Sequence, residues 1–386
     1  MNILFIHNFH REGSASGDDV VVRNEVRLLK DHGHNVEVFA RYNSEVDRSS
    51  FFRKFLHLGQ IPWSWESYYR LKKFLKEKNF DIAHVHTWFP LLSPSIYFAL
   101  YEEGIPIVQS LHDFRFFCPV AFFFRNGRIC EKCAREGLHN AILNRCYENS
   151  YLKSFLATLP LYVVKYRKVF DLISLFIVFT EFGKEKFVEL GIPEEKIRVK
   201  PHFLPNARGY SNRNREFFLY VGRLSVEKGV DFLLKTWEKI PEKLVIVGSG
   251  PLENMVRDYA KKFKNITYAG YVPHEKVYDY MERAIALIVP SVWYETFGMI
   301  IMEAFSVGTP VVASKVGALQ SMIQDGVNGF LFPVKDGEKL KKYLHNLKKK
   351  ARWKKISRQA YNAFVERFGE SRNYLDLMEI YTSVER

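Results

Sequence analysis

The feature that most constrains the fold is a double series of short apolar segments that alternate with segments of helical periodicity. The first series begins with NILFI at 2–6 and the second with FFLYVG at 217–222. The other apolar segments are 35–40, 81–86, 105–111, 174–179 and 197–205 in the first series, and 243–251, 265–273, 284–290, 309–314 and 328–334 in the second. Because strands that alternate with helices form parallel sheets covered on both faces, the sequence predicts two doubly wound, Rossmann-like α/β domains.

A polar segment separates the two series. The chain has 386 residues, more than one compact core usually spans. Residues 206–216, NARGYSNRNRE, are rich in Asn and Arg, which is typical of a linker. The sequence therefore predicts an N-terminal domain at 1–205, a C-terminal domain at 206–368 and a final helical segment at 369–386 that packs back on the first domain. Ligand sites are expected at the carboxyl ends of both sheets, facing each other across a cleft.

The charge balance of the chain is strongly basic, with a net charge of +14 and a pI of about 9.4. This excess favours anionic partners such as phosphates, nucleic acid or an acidic membrane surface. Residues 1–9 lack the features of a secretory signal, and charged residues interrupt the apolar region 151–182. We therefore expect a cytoplasmic protein whose basic, aromatic stretches at 53–78 and 151–170 contact an anionic membrane.

The four cysteines lie close together in the first half of the chain. Cys118, Cys130, Cys133 and Cys146 fall within 29 residues with the pattern C-x11-C-x2-C-x12-C. In a reducing compartment this clustering favours a structural zinc site over a disulfide framework. The spacing resembles that of a zinc ribbon without matching it closely, so four reduced, buried thiols are the alternative.

A loop of small residues, GSASG at 13–17, connects the first predicted strand to the first predicted helix. Small residues such as Ser16 and Gly17 let backbone amides approach an anion, and a helix N-terminus adds partial positive charge. The glycine pattern of a dinucleotide-binding loop is absent from this segment. A tight connection without a ligand is therefore the alternative interpretation.

Two cations and several glycines follow the first two strands of the second series. In YVGRLSVEKGVD at 220–231, Arg223 and Lys228 stand five residues apart beside Gly222. Arg can bind two oxygens at once and Lys supplies a point charge, so the pair suits a diphosphate. In VGSGP at 247–251, Gly250 belongs to another turn at a strand end. Solvated loop charges are the alternative for the two cations.

The segment ETFGMIIME at 295–303 places one glutamate before a predicted helix and another inside it. If the helix begins near Gly298, the amides of its first turn lack upstream carbonyl partners and point at an anion. These amides belong to Phe297, Gly298, Met299 and Ile300. Glu303 then lies about one to one and a half turns into the helix, where its carboxylate suits a vicinal diol such as a ribose. Glu295 would face the group on the other side of the phosphates.

The Arg223 and Lys228 pair, the glutamates Glu295 and Glu303, and the turn VGSGP together resemble glycosyltransferase family 4, whose members are retaining enzymes of the GT-B fold. The resemblance covers nearly the whole chain and is strongest over 217–333. It implies that Glu303 binds the donor ribose and that Arg223 and Lys228 bind the diphosphate. It also implies that the backbone at 297–300 holds the transferred sugar and its phosphate.

The resemblance assigns further positions to the donor site. Tyr271 and Val272 match the segment that lines the nucleotide base, and Gly17 matches the N-terminal glycine loop, in which Ser16 departs from the family's usual double glycine. His112, in QSLHD, matches a histidine that reaches the donor sugar, although a structural histidine is the alternative for this residue alone. The catalytic set implied by the family is Glu295, His112, Arg223 and Lys228.

The resemblance implies a retaining hexosyltransferase that uses a nucleotide diphosphate sugar, most commonly with uridine as the base. The acceptor would be a glycan or a lipid-linked saccharide in polysaccharide or glycoconjugate assembly. The family mechanism implies front-face transfer, in which the leaving diphosphate helps to deprotonate the acceptor. Because the sequence contains no D-x-D motif, we expect catalysis without a metal or other cofactor.

Three other functions remain open at this point. A related phosphorylase or sugar-nucleotide epimerase would keep the fold and change the reaction. A basic nucleic-acid-binding protein would fit the charge, but no helix-turn-helix, zinc-finger or RNA-recognition signature is evident. A carbohydrate-binding protein without activity is disfavoured because Glu295, Glu303, Arg223 and Lys228 are all present.

Overall fold

The computed structural model describes residues 1–10, 17–47 and 59–385. Two six-stranded parallel sheets form its framework. A short antiparallel hairpin forms a separate two-stranded sheet, and in the sequence it falls between two strands of the first sheet. This arrangement confirms the predicted fold class of two doubly wound α/β domains.

The first sheet has the strand order β2-β1-β3-β4-β7-β8. Its strands are β1 (Asn2–Phe9), β2 (Asn35–Tyr42), β3 (Ile82–Val85), β4 (Ile107–Ser110), β7 (Leu175–Val178) and β8 (Ile197–Val199). Strands β3, β4 and β7 are buried along their whole length, as expected for strands covered by helices on both faces. The order of strands reverses between β1 and β3, and ligands bind parallel sheets beside such a reversal.

The second sheet has the order β11-β10-β9-β12-β13-β14, which is the classical doubly wound order 3-2-1-4-5-6. Its strands are β9 (Phe217–Val221), β10 (Leu244–Val247), β11 (Ile266–Gly270), β12 (Ala284–Val289), β13 (Val311–Ser314) and β14 (Gly329–Phe332). The reversal lies between β9 and β12, so the loops that follow these two strands meet at the edge where a ligand is expected.

Helices cover both faces of each sheet. In the first domain they are Gly17–Asp31, Ser44–Asp47, Trp65–Lys76, Ser95–Glu102, Lys132–Arg135, His139–Leu143, Tyr151–Tyr166, Val169–Leu172 and Glu181–Glu189. In the second domain they are Val230–Trp237, Glu253–Lys262, His274–Arg283, Met299–Ser306, Leu319–Met322, Gly337–Leu347 and Lys350–Arg367. The chain ends in the helix Glu370–Thr382. None of the helices in the described ranges is both long and apolar enough to cross a bilayer.

The last helix, Glu370–Thr382, contacts the first domain although it follows the second in the chain. Asn373 donates to Pro201 O at 2.6 Å, and the Tyr381 hydroxyl lies 2.7 Å from His84 Nδ1. The ring of Tyr374 stacks on His32 with the centroids 3.7 Å apart. The helix therefore ties the end of the chain to the N-terminal sheet.

The cysteine segment has little regular structure. It contains the hairpin of β5 (Phe124–Arg125) and β6 (Arg128–Ile129), which the sequence did not predict, and two helices of four and five residues. Ala121, Phe123 and Asn126 adopt positive φ angles in this loop.

Candidate functional site

The loops after β9 and β12 meet at the strand reversal of the second sheet, as the parallel topology predicts. Val292 N donates to Glu227 O at 2.9 Å, which joins the two loops through their backbones. The loop after β9 carries Arg223 and Lys228, and the loop after β12 carries Glu295. The tertiary structure thus brings together charged groups that stand about seventy residues apart.

Glu295 is the centre of this meeting point, and it is buried. Its Oε1 atom accepts three hydrogen bonds, from Lys228 Nζ at 2.7 Å, Ser291 Oγ at 2.8 Å and Trp293 Nε1 at 2.9 Å. Lys228 also lies 5.1 Å above the Trp293 ring, which favours its positive charge. The carboxylate is therefore held in one orientation, and the ammonium is held beside it.

The two cations differ in exposure. Lys228 is half-buried and paired with Glu295, whereas Arg223 is exposed at the end of β9. An exposed guanidinium on the same loop as a fixed ammonium can meet an anion that enters from solvent, because Arg binds oxygens through a planar fork of N–H groups. The arrangement suits the predicted diphosphate, although its role in binding stays a prediction.

Gly250 and Gly222 belong to two loops whose backbones touch. A Cβ atom at Gly250 would lie 2.6 Å from Leu224 O and 2.7 Å from Leu224 N. At Gly248, a Cβ atom would lie 2.0 Å from Gly222 O. The glycines after β10 thus allow the two loops to pack closely, which is a structural reason for glycine at position 250 in addition to the predicted donor contact.

The helix Met299–Ser306 begins where the sequence predicted, with Gly298 as its N-cap. Its first backbone hydrogen bonds run from Ile301 and Met302 to Gly298 O. The amides of Met299 and Ile300 precede these bonds and point out of the helix N-terminus. An anion at this position would also be stabilised by the helix dipole.

Glu303 is buried on this helix, and His274 Nε2 lies 2.9 Å from its Oε1 atom. This contact raises the pKa of His274 above its ordinary value, because Glu303 accepts its hydrogen bond and attracts its charge. Tyr271 is exposed and Val272 half-buried in the turn just before His274. The predicted base and ribose positions therefore lie on neighbouring segments.

A hydrogen bond across the domains joins His112 to the glutamate loop. Thr296 Oγ1 donates to His112 O at 2.7 Å. The side chain of Phe297 is buried and packs edge-on against the ring of His202, with the centroids 4.8 Å apart. Phe297 therefore contributes its side chain to the junction of the domains, and only its backbone remains for the predicted sugar contact.

His112 lines a cavity of about 270 Å³ at the carboxyl edge of the first sheet. Burial lowers the pKa of His112 to about 4, so the ring is neutral near pH 7. The cavity wall also contains Asp18, Asp113, Trp88 and Tyr147. A mixture of carboxylates, aromatic rings and a neutral imidazole is typical of sites that bind hydroxyl-rich ligands.

Gly17 is the first residue of the helix Gly17–Asp31, and Ser16 lies outside the described residues. Asp19 lies in the first turn of this helix, and its Oδ1 atom lies 2.9 Å from His7 Nε2. Asp18 Oδ2 accepts from Thr87 Oγ1 at 3.1 Å. The start of this helix is therefore anchored to β1 and to the residues after β3, while the predicted phosphate contact stays a prediction.

Two clusters in the described ranges have potential metal-ligand atoms all within 4.8 Å of one another. They are Glu25, His84 and His86, and His7, Asp18 and Asp19. Neither cluster contains a cysteine. The four cysteines are free thiols, and the pKa of Cys133 is raised to about 12 by burial and by the neighbouring Cys118, Cys146 and Cys130. The zinc site stays a prediction.

Several residues of this site were not singled out from the sequence. His274, Ser291, Trp293 and Thr296 hold the two glutamates or His112 in place. Gly317 has φ +56, and a Cβ atom there would lie 2.8 Å from Glu295 N. Ser291 and Trp293 precede Glu295 by four and two positions, so their proximity to it could have been inferred from the sequence. The contact of Gly317 is apparent only from the fold.

Comparison with known proteins agrees with this geometry. The model of Glycosyltransferase Family 4 matches residues 15–208, half of the chain, and the model of Glycosyl transferases group 1 matches residues 207–365. The chain belongs to glycosyltransferase family 4. An uncharacterised glycosyltransferase of Methanocaldococcus jannaschii is 36% identical over 123 residues, which span 30% of this chain and 31% of that relative.

Solved structures share the fold over nearly the whole length of the chain. Sucrose-phosphate synthase from Thermosynechococcus elongatus superposes with a TM-score of 0.71 at 18% identity and covers 99% of this chain and 98% of the enzyme. Anabaena HepE in complex with UDP superposes with a TM-score of 0.67 at 20% identity and covers 99% of this chain and all of that chain. These similarities establish the GT-B fold.

Proposed function

We propose that this family 4 protein is a retaining glycosyltransferase that moves a hexose from a nucleotide diphosphate sugar to a glycan or lipid-linked saccharide, as in the assembly of polysaccharides or glycoconjugates. The observation that carries the proposal is the meeting of Lys228, Glu295 and the N-terminus of the helix Met299–Ser306 at the strand reversal. Positive charge and free amides gather there, and a diphosphate needs both.

In this proposal, successive parts of the donor contact successive groups of residues. Glu303 binds the ribose, Tyr271 and Val272 line the base, and Arg223 and Lys228 bind the diphosphate. UDP is the proposed nucleotide because HepE, which shares the fold, was solved with UDP. Glu295 and the amides at 297–300 face the transferred sugar, and Gly17, Ser16, Gly222 and Gly250 are further proposed contacts of the donor.

The proposed chemistry is front-face transfer with retention at the anomeric carbon. The bond from this carbon to the diphosphate oxygen breaks while the acceptor oxygen bonds to the same face, and the acceptor proton goes to the leaving diphosphate. Arg223, Lys228 and the helix N-terminus stabilise the negative charge that develops on the diphosphate. His112 binds the sugar from the opposite domain, and its neutral ring suits a hydroxyl.

The reaction is proposed to need neither a metal ion nor another cofactor. Lys228 and the free amides supply the charge stabilisation that a metal supplies elsewhere. The cluster of His7, Asp18 and Asp19 is one of the two described clusters whose ligand atoms could hold a metal. Activity that persists in EDTA supports the proposal, whereas strict dependence on Mg²⁺ or Mn²⁺ contradicts it.

The acceptor is proposed to bind the cavity beside His112 in the N-terminal domain. This domain also exposes Tyr151, Leu152 and Phe155 at the start of the helix Tyr151–Tyr166, beside Lys153. We infer that this surface binds an anionic membrane that carries the acceptor, so the protein works in the cytoplasm at a membrane. Sedimentation with vesicles of anionic lipid at low salt tests this, with vesicles of neutral lipid as the control; equal sedimentation with both contradicts it.

The cysteines are proposed to bind a structural zinc ion. Cys133 lies close enough to the other three thiols for them to raise its pKa. Burial raises the pKa of Cys118, and hydrogen bonds from the backbone amides of Phe123, Val120 and Phe122 partly oppose this; a bound zinc ion would stabilise the thiolates. The sulfur atoms would have to move closer together around the metal. Metal analysis of the purified protein tests this proposal: about one zinc per chain, lost in Cys133→Ser, supports it, and metal-free protein of full stability contradicts it.

The experiment that tests the function is a screen of nucleotide sugars by thermal shift, followed by assays of hydrolysis and transfer. We expect a UDP-sugar to raise the melting temperature and to be hydrolysed slowly, with Glu303→Ala abolishing the shift. Turnover that requires inorganic phosphate would favour a phosphorylase, and interconversion of the donor without an acceptor would favour an epimerase. Binding of nucleic acid without any sugar nucleotide would favour the non-enzyme alternative.

A further inference from the structure

Behind His112 lies a line of buried polar side chains to which the proposed reaction assigns no role. It consists of Lys200, after β8, Glu25, in the helix Gly17–Asp31, and His86, just after β3. Their exposed fractions are 0%, 1% and 3%. Burying two charged groups and an imidazole is costly unless each group has a defined partner, so the arrangement calls for an explanation.

The contacts run in one direction towards His112. Lys200 Nζ donates to Glu25 Oε1 at 2.7 Å. The other carboxylate oxygen of Glu25, Oε2, lies 3.6 Å from His86 Nε2. Within the described part of the chain, neither of these two atoms has a hydrogen-bond partner. On the other side of the imidazole, His86 Nδ1 lies 2.8 Å from His112 Nε2.

We propose that Lys200, Glu25 and His86 hold His112 in a single tautomer, with the proton on Nε2 and a bare Nδ1 facing the cavity. His112 then accepts a hydrogen bond from a hydroxyl group of the bound sugar. His86 is in this role a positioning residue, because it acts through His112. The tautomer rests on the geometry alone, and the contact with a sugar rests on the proposed function.

The tautomer follows from the order of donors and acceptors. Glu25, paired with the Lys200 ammonium, only accepts, so the facing His86 Nε2 must carry a proton to satisfy both atoms. A neutral imidazole has one N–H group, which leaves His86 Nδ1 as an acceptor. His112 Nε2 must then donate to it, and His112 Nδ1 is left with a lone pair.

The opposite arrangement is disfavoured by electrostatics. If His86 donated from Nδ1, its Nε2 lone pair would face the Glu25 carboxylate inside the protein, where such repulsion is poorly screened. Burial lowers the pKa of His86 well below its ordinary value and that of His112 to about 4, so both rings are neutral near pH 7. The chain of single donors is therefore intact under ordinary conditions.

A metal ion is the competing explanation for Glu25, His84 and His86, whose ligand atoms lie within 4.8 Å of one another. His84, however, uses both ring nitrogens: Nδ1 lies 2.7 Å from the Tyr381 hydroxyl, and Nε2 lies 2.9 Å from Ser110 Oγ. A metal would have to break one of these contacts beside the Lys200 ammonium. The hydrogen-bond chain requires no such rearrangement.

The test is nitrogen NMR of the full-length protein labelled with ¹⁵N-histidine, without ligand, with His112 assigned from the spectrum of His112→Asn. We expect Nδ1 of His112 to resonate as an unprotonated nitrogen and Nε2 as a protonated one. The reverse pattern, or a rapid mixture of both tautomers, overturns the proposal. This measurement uses no substrate, so it stands even if no transferase activity is found.

A pair of variants separates positioning from packing. His86→Phe removes the acceptor for His112. His84→Phe is the matched control, since His84 lies two residues earlier, is also buried, and uses its ring nitrogens for Tyr381 and Ser110 instead of His112. We expect His86→Phe to mix the tautomers of His112 and to lower kcat/KM for the donor about tenfold. His84→Phe should keep the single tautomer.

Two outcomes of this comparison contradict the proposal. One is a single, unchanged His112 tautomer in His86→Phe, and the other is a stoichiometric metal in the purified wild-type protein that His86→Phe loses. If His86→Phe does not fold, the wild-type spectrum and the metal analysis still decide. If the tautomer is as expected but transfer is absent, the proposed function fails and this inference does not.

Discussion

The ionisable groups on the two sides of the cleft differ in their environments. In the C-terminal domain, Lys228 and Glu295 form an ion pair at the mouth of the site, and the exposed His274 pairs with Glu303. In the N-terminal domain, the residues that face the cleft are backed by histidines whose pKa values are lowered by burial. One side thus offers an ammonium and helix amides, and the other offers neutral imidazoles beside the carboxylates of Asp18 and Asp113.

This difference teaches how a single cleft can serve two kinds of ligand. A diphosphate is charged and needs cations and helix amides, which the loops after β9 and β12 supply. A saccharide hydroxyl is neutral and is best met by groups that do not ionise near pH 7. Burial of the histidines at the carboxyl ends of strands in the first sheet keeps them neutral, because charge is costly in a medium of low dielectric constant.

The largest effect is expected from acid. His84, His86, His112 and His202 all have pKa values lowered by burial, and the value for His112 is about 4. Below about pH 6.5 these histidines become protonated in the unfolded chain but stay neutral in the folded protein. Each of them therefore lowers the free energy of unfolding by about 1 kcal/mol between pH 6.5 and 5.5. The raised pKa values of His10 and His274 oppose this trend only partly.

Hydrogen exchange followed by mass spectrometry measures this effect in each domain separately. Protection of the amides in β1 and β3 should fall between pH 6.5 and 5.5, after correction for intrinsic exchange. Protection in β9 and β10 should change much less, since His274 is the only histidine with a resolved shift beside that sheet among the described residues. Equal losses of amide protection in both domains would contradict the proposed difference in acid sensitivity between them.

The next largest effect is expected at the charged side of the cleft. Lys228→Ala should lower kcat by about 100-fold to 1,000-fold, because it removes the cation that is proposed to stabilise the leaving diphosphate. Ser291 and Trp293 would still hold Glu295, so the fold should survive. Lys235→Ala, an exposed lysine on the helix Val230–Trp237, is the control. Substantial activity in Lys228→Ala would exclude the proposed role.

A smaller effect is expected from the glycine between the loops. Gly250→Ala places a Cβ atom 2.6 Å from Leu224 O, and the backbone has to shift to make room. We expect a loss of about 1–3 kcal/mol of stability, as for other overpacked sites. Gly326→Ala is the matched control, with φ +77 and nothing within 4 Å of its Cβ atom. Equal melting temperatures for the two variants would contradict the close packing of the loops.

The smallest effect is expected at the exposed tyrosine. Tyr271 is 71% exposed, and stacking on a base would be its main contribution. Tyr271→Ala should raise the donor KM about fivefold to tenfold, near the lower end of the values for base stacking on aromatic rings, and leave kcat unchanged. Tyr101→Ala, an exposed tyrosine of the other domain, controls for loss of surface area. A change in kcat with no change in KM would contradict the proposed stacking of Tyr271 on the nucleotide base.

Local sequence patterns were sufficient for most of the architecture. All twelve strands of the two parallel sheets coincide with predicted apolar segments, although the segment 197–205 forms a strand only at Ile197–Val199. The helix after Gly298 begins as predicted because glycine and the following apolar periodicity are both local signals. The short hairpin at Phe124–Ile129 was missed, because two-residue strands leave no periodic pattern.

The candidate site was predictable only where its residues follow strands of one sheet. Arg223, Lys228 and Glu295 each follow a strand of the second sheet near its reversal, so topology alone brings them together. The hydrogen bond from Thr296 to His112 O crosses 184 positions of sequence and both domains. No periodicity reports such a contact, because it depends on how the two domains pack.

The amino-acid sequence by itself determined the two sheets, their order of elements and the charged loops of the second domain, because these depend on short-range hydrophobic periodicity and turn residues. Only the tertiary structure decided that Glu25, His86, His112 and Lys200 form one line from the core to the cleft. Each of these residues could satisfy its hydrogen bonds in many ways in an isolated segment. Their partners are chosen by the packing of a helix against three strands, which exists only once the domain has folded.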